Sequence, residues 1–444
     1  MSSVGSVSSV VLAFHRTFHA LRSWNFRLYL AGLAVSATGI WVHAVASAWL
    51  VLGLTGSGVA IGLEMMFMFL PILFLGAWGG VVADRFDKRR LLLLTQGLFA
   101  VLSTALGVIT ATGVVRLWMV YAISVAFGIV TTLDHPTRQS FVPEMVAKRD
   151  LTNAVSLNSA VFTGTRIVGP AIGAAVIAAV GIAPAFLLDG LSYLAVIAGL
   201  LLMRRGELRP AERAAEGERG LGDGLRYVAR TPALRIPLAL MAVLFAFSFN
   251  YMVLLPLMAD RVFAGGAGVY GSLLSVMGLG SFVGALVLAH RSSPGLRLLC
   301  AAGVAVGIFS LAAAAAPTLG WEWASVALLG FASIAFMIVG NTTLQLTAEP
   351  TMRGRVMSLY SVVFLGSTPI GAPIAGWMGE HLGPRTGLLA GGLVALLASL
   401  ITVWVLRRAR SRDGAEATLV MPVPAAQRDG AAERLIEDER TLTA

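Results

Sequence analysis

Apolar residues gather in twelve long blocks along the chain and do not alternate with polar ones. The blocks run approximately over 27–53, 57–82, 91–112, 117–134, 154–180, 184–203, 236–258, 267–289, 297–316, 323–346, 356–379 and 386–406. A helix that crosses a bilayer needs about 20 predominantly apolar residues, and helices satisfy their own backbone groups in lipid. Each block therefore predicts one membrane-spanning helix. The separators are short and rich in Gly, Pro and charge, except for a central stretch, 204–235, and a tail, 407–444.

Composition narrows the class further. Hydrophobic residues make up 57% of the 444 and charged residues only 13%, about half the ~25% charged share of a soluble domain. That excludes a soluble enzyme, a nucleic-acid binder and a disulfide scaffold. The single cysteine, Cys300, sits in an apolar run and reads as a small buried hydrophobe. Positive charges follow the apolar run Val10–Phe14 instead of preceding it, the reverse of a signal peptide, so 1–26 reads as a cytoplasmic leader.

The net charge of +10 reports topology. With a cytoplasmic N-terminus, 29 of the 33 Lys and Arg fall in inner segments, three (Arg116, Arg261, Arg385) fall outside, and Arg166 lies within a block. Basic residues are retained on the cytoplasmic side during insertion, so both termini are expected in the cytoplasm, with the protein in the cell membrane. The central stretch is solvated at 204–219, and its second part has the apolar spacing of a helix lying on the inner membrane surface. The tail mixes Arg with Asp and Glu, has no aromatic residue, and is expected to be disordered.

The chain also repeats itself. Ala154-Val-Ser-Leu-Asn-Ser-Ala-Val-Phe162 matches Val356-Met-Ser-Leu-Tyr-Ser-Val-Val-Phe364 at five of nine positions, six spans later. Parallel repeats of this kind mark one large transporter class. The simplest organisation is a six-helix bundle at 27–203, a cytoplasmic loop at 204–235, a second six-helix bundle at 236–406 and the tail at 407–444.

Neither lysine, Lys88 or Lys148, follows a glycine, so no Walker-A loop exists. His-Glu-x-x-His is absent, the six histidines are scattered, and no Gly-x-Ser-x-Gly elbow is evident. No metal, cofactor or catalytic set is expected. Transport driven by a gradient remains. A sensor or scaffold that does not transport would carry a sizeable folded soluble domain, and none appears.

The strongest motif is Gly80-Val-Val-Ala-Asp84-Arg85-Phe-Asp87-Lys88-Arg89-Arg90, between the second and third spans. It resembles the signature loop of the major facilitator superfamily, with Asp87 where the pattern has a second Gly. Asp134–Glu144, Asn153–Gly173 and Arg353–Tyr360 add a resemblance to the third drug/proton antiporter family, which covers macrolide efflux and enterobactin export. Gly169-Pro170-x-x-Gly173 partly matches the antiporter motif of the fifth span, with Ala174 where a second Gly is usual. The fourth span lacks the arginine of other drug antiporters.

The resemblance implies an all-α integral membrane protein, two pseudo-symmetric six-helix bundles in a major facilitator fold. It implies proton-coupled export of a hydrophobic or amphipathic molecule by alternating access, with a monomer expected. A narrow exporter of one metabolite, such as a siderophore, is the alternative. Gly80, Asp84, Arg85, Lys88, Arg89 and Arg90 would form the gating loop. Asp84 would dock at the positive end of the eleventh span, near Arg355-Val356, and close the inner side.

A charge at the bilayer centre costs at least about 2.5–3.5 kcal/mol, so each embedded charge needs a partner or a role. Glu64 lies roughly 10 Å deep and Asp189 roughly 8 Å from the outer end, while Asp134 sits at the inner end of the fourth span. These three are the candidates for carrying a proton, and the spans of the second half read as free of ionisable groups. Arg166 is the one embedded base, expected to be satisfied by Glu64, Asp189, carbonyls or water and to favour anionic or carbonyl-bearing substrates. Trp41, His43, Met65, Phe67, Phe249, Asn250, Asn341 and Gln345 are the candidates to line a cavity.

Overall fold

The computed structural model describes residues 19–209, 221–289 and 295–413. Most of the leader, the solvated part of the central stretch and the tail beyond 413 lie outside the described residues. Twelve long apolar helices follow one another: α1 (Trp24–Thr55), α2 (Gly58–Arg85), α3 (Lys88–Ala111), α4 (Leu117–Met145), α5 (Leu151–Val180), α6 (Ile182–Leu202), α7 (Pro232–Val262), α8 (Gly266–Ala289), α9 (Leu296–Ala314), α10 (Leu319–Thr347), α11 (Arg353–His381) and α12 (Pro384–Asp413). No strand occurs among the described residues.

Local chemistry sets the joints. Gly56 closes α1 in the left-handed region, at φ 63°, with its N–H donating to the Leu52 carbonyl at 2.7 Å. A side chain there would be strained, which is why glycine occupies it. The next residue, Ser57, already caps α2 by accepting from the Ala60 N–H. Asp87 caps α3 in the same way, accepting from the Arg90 N–H at 2.7 Å. The residue that departs from the signature loop thus has a local use: it starts a helix.

Two expectations about the spans change. The fourth helix runs on past 134 to Met145, because Asp134 meets Arg138 four residues later. Arg138 therefore belongs to the helix and not to a loop, and Arg166 is not the one base within a span. The tenth helix begins at Leu319 on a Thr318 cap, which brings Glu322 inside it, fully buried. An acid in the first turn of a helix is favoured by the dipole, and it ended the apolar pattern one residue short. The second half is not free of acids.

Lipid tails are as apolar as leucine, so association in a membrane depends on close packing of small residues. The two sets of six helices meet along two seams, α2 against α11 and α5 against α8. A Cβ on Gly62 would stand 2.4 Å from the Ala372 carbonyl oxygen, and one on Gly376 would stand 2.2 Å from that of Gly58. On the second seam the same holds for Gly271 against Pro170 (2.7 Å) and Gly278 against Arg166 (2.6 Å). The α2–α11 contacts lie at the end of the bundle opposite the chain termini. There Ser57 donates to the Glu380 carboxylate, the Val59 N–H donates to it at 3.0 Å, and Arg261 donates to the carbonyls of Gly56 (2.5 Å) and Glu380 (3.1 Å).

Helices α7 and α11 are broken. The first is interrupted at Ser248–Asn250 and ends in a π turn, and the second breaks at Ser367, just before Pro369. The short helix Leu221–Arg230, expected on the membrane surface, packs against the start of α11, with Gly224 against Arg355.

The far-end seam generates a test. In a Cys300→Ala background, a Ser57→Cys/Glu380→Cys pair should cross-link readily under mild oxidation. Adding Gly62→Val places a side chain against the Ala372 carbonyl and should cut that cross-linking several-fold. Undiminished cross-linking would show that the seam tolerates a side chain there.

Candidate functional site

The breaks in α7 and α11 open onto a cavity of about 300 Å³ between the two sets of helices. Trp41 of α1, Met65 and Phe69 of α2 and Arg166 of α5 line one side. Phe245, Phe249, Asn250 and Tyr251 of α7, Met277 and Ser281 of α8, Ser333 and Met337 of α10, and Phe364 and Ser367 of α11 line the other. Side chains at the breaks donate to carbonyls, two of them within the same helix and one across to α12. Ser248 donates to the Gly391 carbonyl at 2.7 Å, Asn250 to that of Ala246 at 2.8 Å and Ser367 to that of Phe364 at 3.0 Å.

Aromatic rings dominate the wall. Phe245 meets Phe249 edge-on at 5.1 Å and Phe364 at 5.0 Å, and Phe364 stacks with Tyr360. Among the described residues Arg166 is the one charged residue lining the cavity, and its guanidinium lies 5.6 Å over the Trp41 ring. Gly169 lets this happen: a Cβ there would stand 2.5 Å from that of Trp41. Gly173 packs likewise on the Val42 backbone. Pro170 presents its carbonyl to α8, so the motif of the fifth helix builds the wall that carries Arg166.

Among the described residues Arg166 has no ion pair. The acids expected to satisfy it are held elsewhere. Glu64, buried, accepts from Ser47 and Ser124 at 3.1 Å each through Oε1, while Oε2 has no hydrogen-bond partner among the described residues. Asp189, fully buried, accepts from Ser103 and lies 3.0 Å from His43 Nδ1. Asp134 is the most fully paired of the three, accepting from Thr95 and Gln96 at 2.7 Å and from Arg138 at 2.5 Å. Its position is inside α4, not at an end.

Of the candidates to line the cavity, Trp41, Met65, Phe249 and Asn250 do so. His43 points to Asp189, Phe67 packs on the Tyr121 ring at 5.0 Å, and Gln345 donates to Asn341 on an exposed turn of α10. None of these four is among the lining residues.

The loop motif organises the end of the bundle that bears the termini. Lys88 pairs with Glu144 of α4, and Arg89, buried, donates to the Leu200 carbonyl at 2.6 Å and to that of Leu201 at 3.3 Å. Cations suit a helix C-terminus, where the last carbonyls lack intrahelical partners. Gly80 has open space around it. Arg85 and Arg90 are exposed, and the side chain of Asp84 lies outside the described residues.

Several site residues escaped the sequence reading. Ser47 stands one turn after His43, Ser103 and Ser124 are small hydroxyls within apolar runs, Ser57 opens the second block, and Arg261 and Glu380 fall in the separators. An aromatic, Met-rich cavity with a single guanidinium and no acid suits an amphipathic molecule carrying an anionic or carbonyl group.

Residues 15–434 match the family described as transmembrane secretion effector. The chain is 27% identical over 401 residues to the uncharacterized MFS-type transporter YfiS of Bacillus subtilis, covering 86% of this chain and 93% of that one. It is 26% identical over 409 residues to the enterobactin exporter EntS of Escherichia coli O127:H6, covering 89% and 93%. The crystal structure of a bacterial homolog of the human lysosomal transporter Spinster, inward-facing and occupied, superimposes with a TM-score of 0.70 at 14% identity, covering 87% and 97%.

The pairing of Asp134 makes a stability prediction. Arg138→Leu leaves a buried carboxylate uncompensated and should cost about 3–5 kcal/mol. The Asp134→Leu/Arg138→Leu double variant should recover much of that loss. Thermal unfolding of the purified protein in detergent checks both, and equal stability of the single and double variants would refute the pairing.

Proposed function

Because the chain belongs to the transmembrane secretion effector family, a family of major facilitator transporters and not of enzymes, we propose that it exports a hydrophobic or amphipathic small molecule in exchange for protons. The observation that carries this reading is the cavity: aromatic and methionine side chains around one guanidinium, with no acid to neutralise it. A cargo that brings its own negative or carbonyl oxygen completes the site. The similarity to the enterobactin exporter supports the narrower alternative, export of one anionic metabolite such as a siderophore.

The distribution of Lys and Arg supports cytoplasmic termini and a place in the cell membrane. In that orientation the far end, tied by Glu380 and Arg261, faces outward. The coupling proton has two candidate acids with neutral donors, Glu64 and Asp189. Asp134 is bound to Arg138 and serves structure better than exchange.

Cells with and without the protein, given a chemically diverse panel of compounds, test the reading. Amphipathic compounds with an anionic or carbonyl group should accumulate less when the protein is present, and a protonophore should erase the difference. If the protein alters the accumulation of no compound in the panel, export is the wrong reading. Arg166→Ala, at normal membrane abundance, should lower export about tenfold or more, since one charge-assisted contact is worth about 1.5–3 kcal/mol. Wild-type export in that variant would make Arg166 structural.

Glu64→Gln mimics the neutral acid. If Glu64 is the acid that exchanges, the variant loses uphill export while substrate still equilibrates down its gradient; if Asp189 is, uphill export survives in it. A Glu64→Gln protein that concentrates substrate under a pH gradient would remove Glu64 from the coupling.

A further inference from the structure

His43 of α1, Ser103 of α3 and Asp189 of α6 form one buried polar cluster outside the cavity. His43 Nδ1 lies 3.0 Å from Ser103 Oγ and 3.0 Å from Asp189 Oδ2, and the Ser103 hydroxyl donates to the same carboxylate. The His43 ring is clasped by Phe127 at 4.6 Å and Phe186 at 5.2 Å. Asp189 Oδ1, fully buried, has no hydrogen-bond partner among the described residues. Room for the carboxylate comes from Gly39, where a Cβ would stand 2.8 Å from Oδ1.

Titratable neighbours are few. From α2 the group acting on His43 is Glu64, and from α6 Tyr193, one turn beyond Asp189, acts on that carboxylate. From α4 the facing ring is Phe127, while Asp134 and Arg138 reach only as far as Tyr193. From α3 the group is Ser103, and from α5 the nearest charge is Arg166, on the far side of α1 over Trp41.

That last point gives the cluster its use. Two residues along a helix turn through about 200°, so Trp41 and His43 point to opposite faces of α1. Trp41 lies in the cavity wall under the Arg166 guanidinium, and His43 lies on the Asp189 carboxylate. One rigid element touches the cargo's seat on one face and a proton-accepting pair on the other.

We propose that His43 and Asp189, bridged by Ser103, jointly hold the coupling proton, and that α1 transmits its arrival to the cavity. The step balances simply. A proton from water on one side forms an N–H or O–H bond in the pair, takes it from one net negative charge to none, and later returns to water on the other side. A change of one unit of charge in a water-poor seat acts strongly on the packing around it. Cargo and proton then occupy separate sites and communicate through α1. This extends the reading as a proton-coupled exporter and rests on it.

The test needs no cargo. Full-length protein carrying nitrogen-15 histidine, in lipid nanodiscs, is titrated by NMR, with the His43 signal assigned by its loss in His43→Gln. His43 should titrate, and Asp189→Asn should displace its curve. Trp41→Leu, which touches neither group, should displace it as well, whereas Phe249→Leu on the opposite wall should not. A His43 signal that does not titrate, or one whose curve is the same in Asp189→Asn, overturns the shared proton, and an unmoved curve in Trp41→Leu overturns the α1 link. A second arm uses any panel compound found to be exported: His43→Gln and Asp189→Asn should each lose uphill export and keep downhill equilibration. Loss of neither overturns the proposal. Should the panel contain no exported compound, the failure belongs to the exporter reading and the NMR arm still decides the site.

Discussion

Inside hydrocarbon there is no water to accept from a stray N–H or donate to a stray carbonyl, so the chain must satisfy its backbone from within. This is why every span is a helix and why each of the two breaks has a side chain attending to it. Asn250 and Ser367 each cover a carbonyl released where α7 or α11 loses its ladder, and Ser248 reaches across to the Gly391 carbonyl of α12. Irregular backbone is tolerated where it lines a cavity, and both breaks do so. The cavity is therefore not an accident between two bundles. It is the place where the fold can afford to stop being helical.

The same absence of water removes the hydrophobic drive between helices, leaving close contact as the means of holding the two sets of six together. Glycine at 58, 62, 271, 278 and 376 brings backbone against backbone along α2–α11 and α5–α8. Seams built on backbone contact resist a single added methyl group, yet they separate as rigid surfaces, because few interlocking side chains must be undone. At the far end the polar ties, Glu380 to the start of α2 and Arg261 to Gly56, are surface groups that water can replace. Weak ties over a tight seam suit an element that opens and closes.

Much of this was legible in the sequence. Uninterrupted apolar blocks dictate twelve helices, and the positions of Arg166, Glu64 and Asp189 within them stand out because charge is so rare there. Other features were hidden by compensation. Asp134 and Arg138 lowered the apparent hydropathy of α4 and disguised its last three turns, although together they form an ion pair four residues apart. Glu322 terminated an apolar run and so escaped notice, while the fold buries it in a first turn. His43 was read as facing the cavity with Trp41, but two residues of helix rotation send it the other way. Spacing told which residues are embedded. The angle at which each one points depends on tertiary packing, which no single-chain pattern contains.

The arrangement of charge across α1 carries the last step. If Glu64 or Asp189 had paired directly with Arg166, cargo and counter-ion would compete for one site, and a bound anion would have to displace a carboxylate already in place. Here the acids are satisfied by serine hydroxyls and an imidazole, and the guanidinium is stacked on indole. Neutral donors hold a carboxylate in position without fixing its charge as a guanidinium would. Asp134, locked to Arg138 one turn on in the same helix, is the contrast. Asp134 ties α4 to Thr95 and Gln96 of α3 with its charge matched by Arg138, whereas Glu64 and Asp189 have no guanidinium beside them among the described residues.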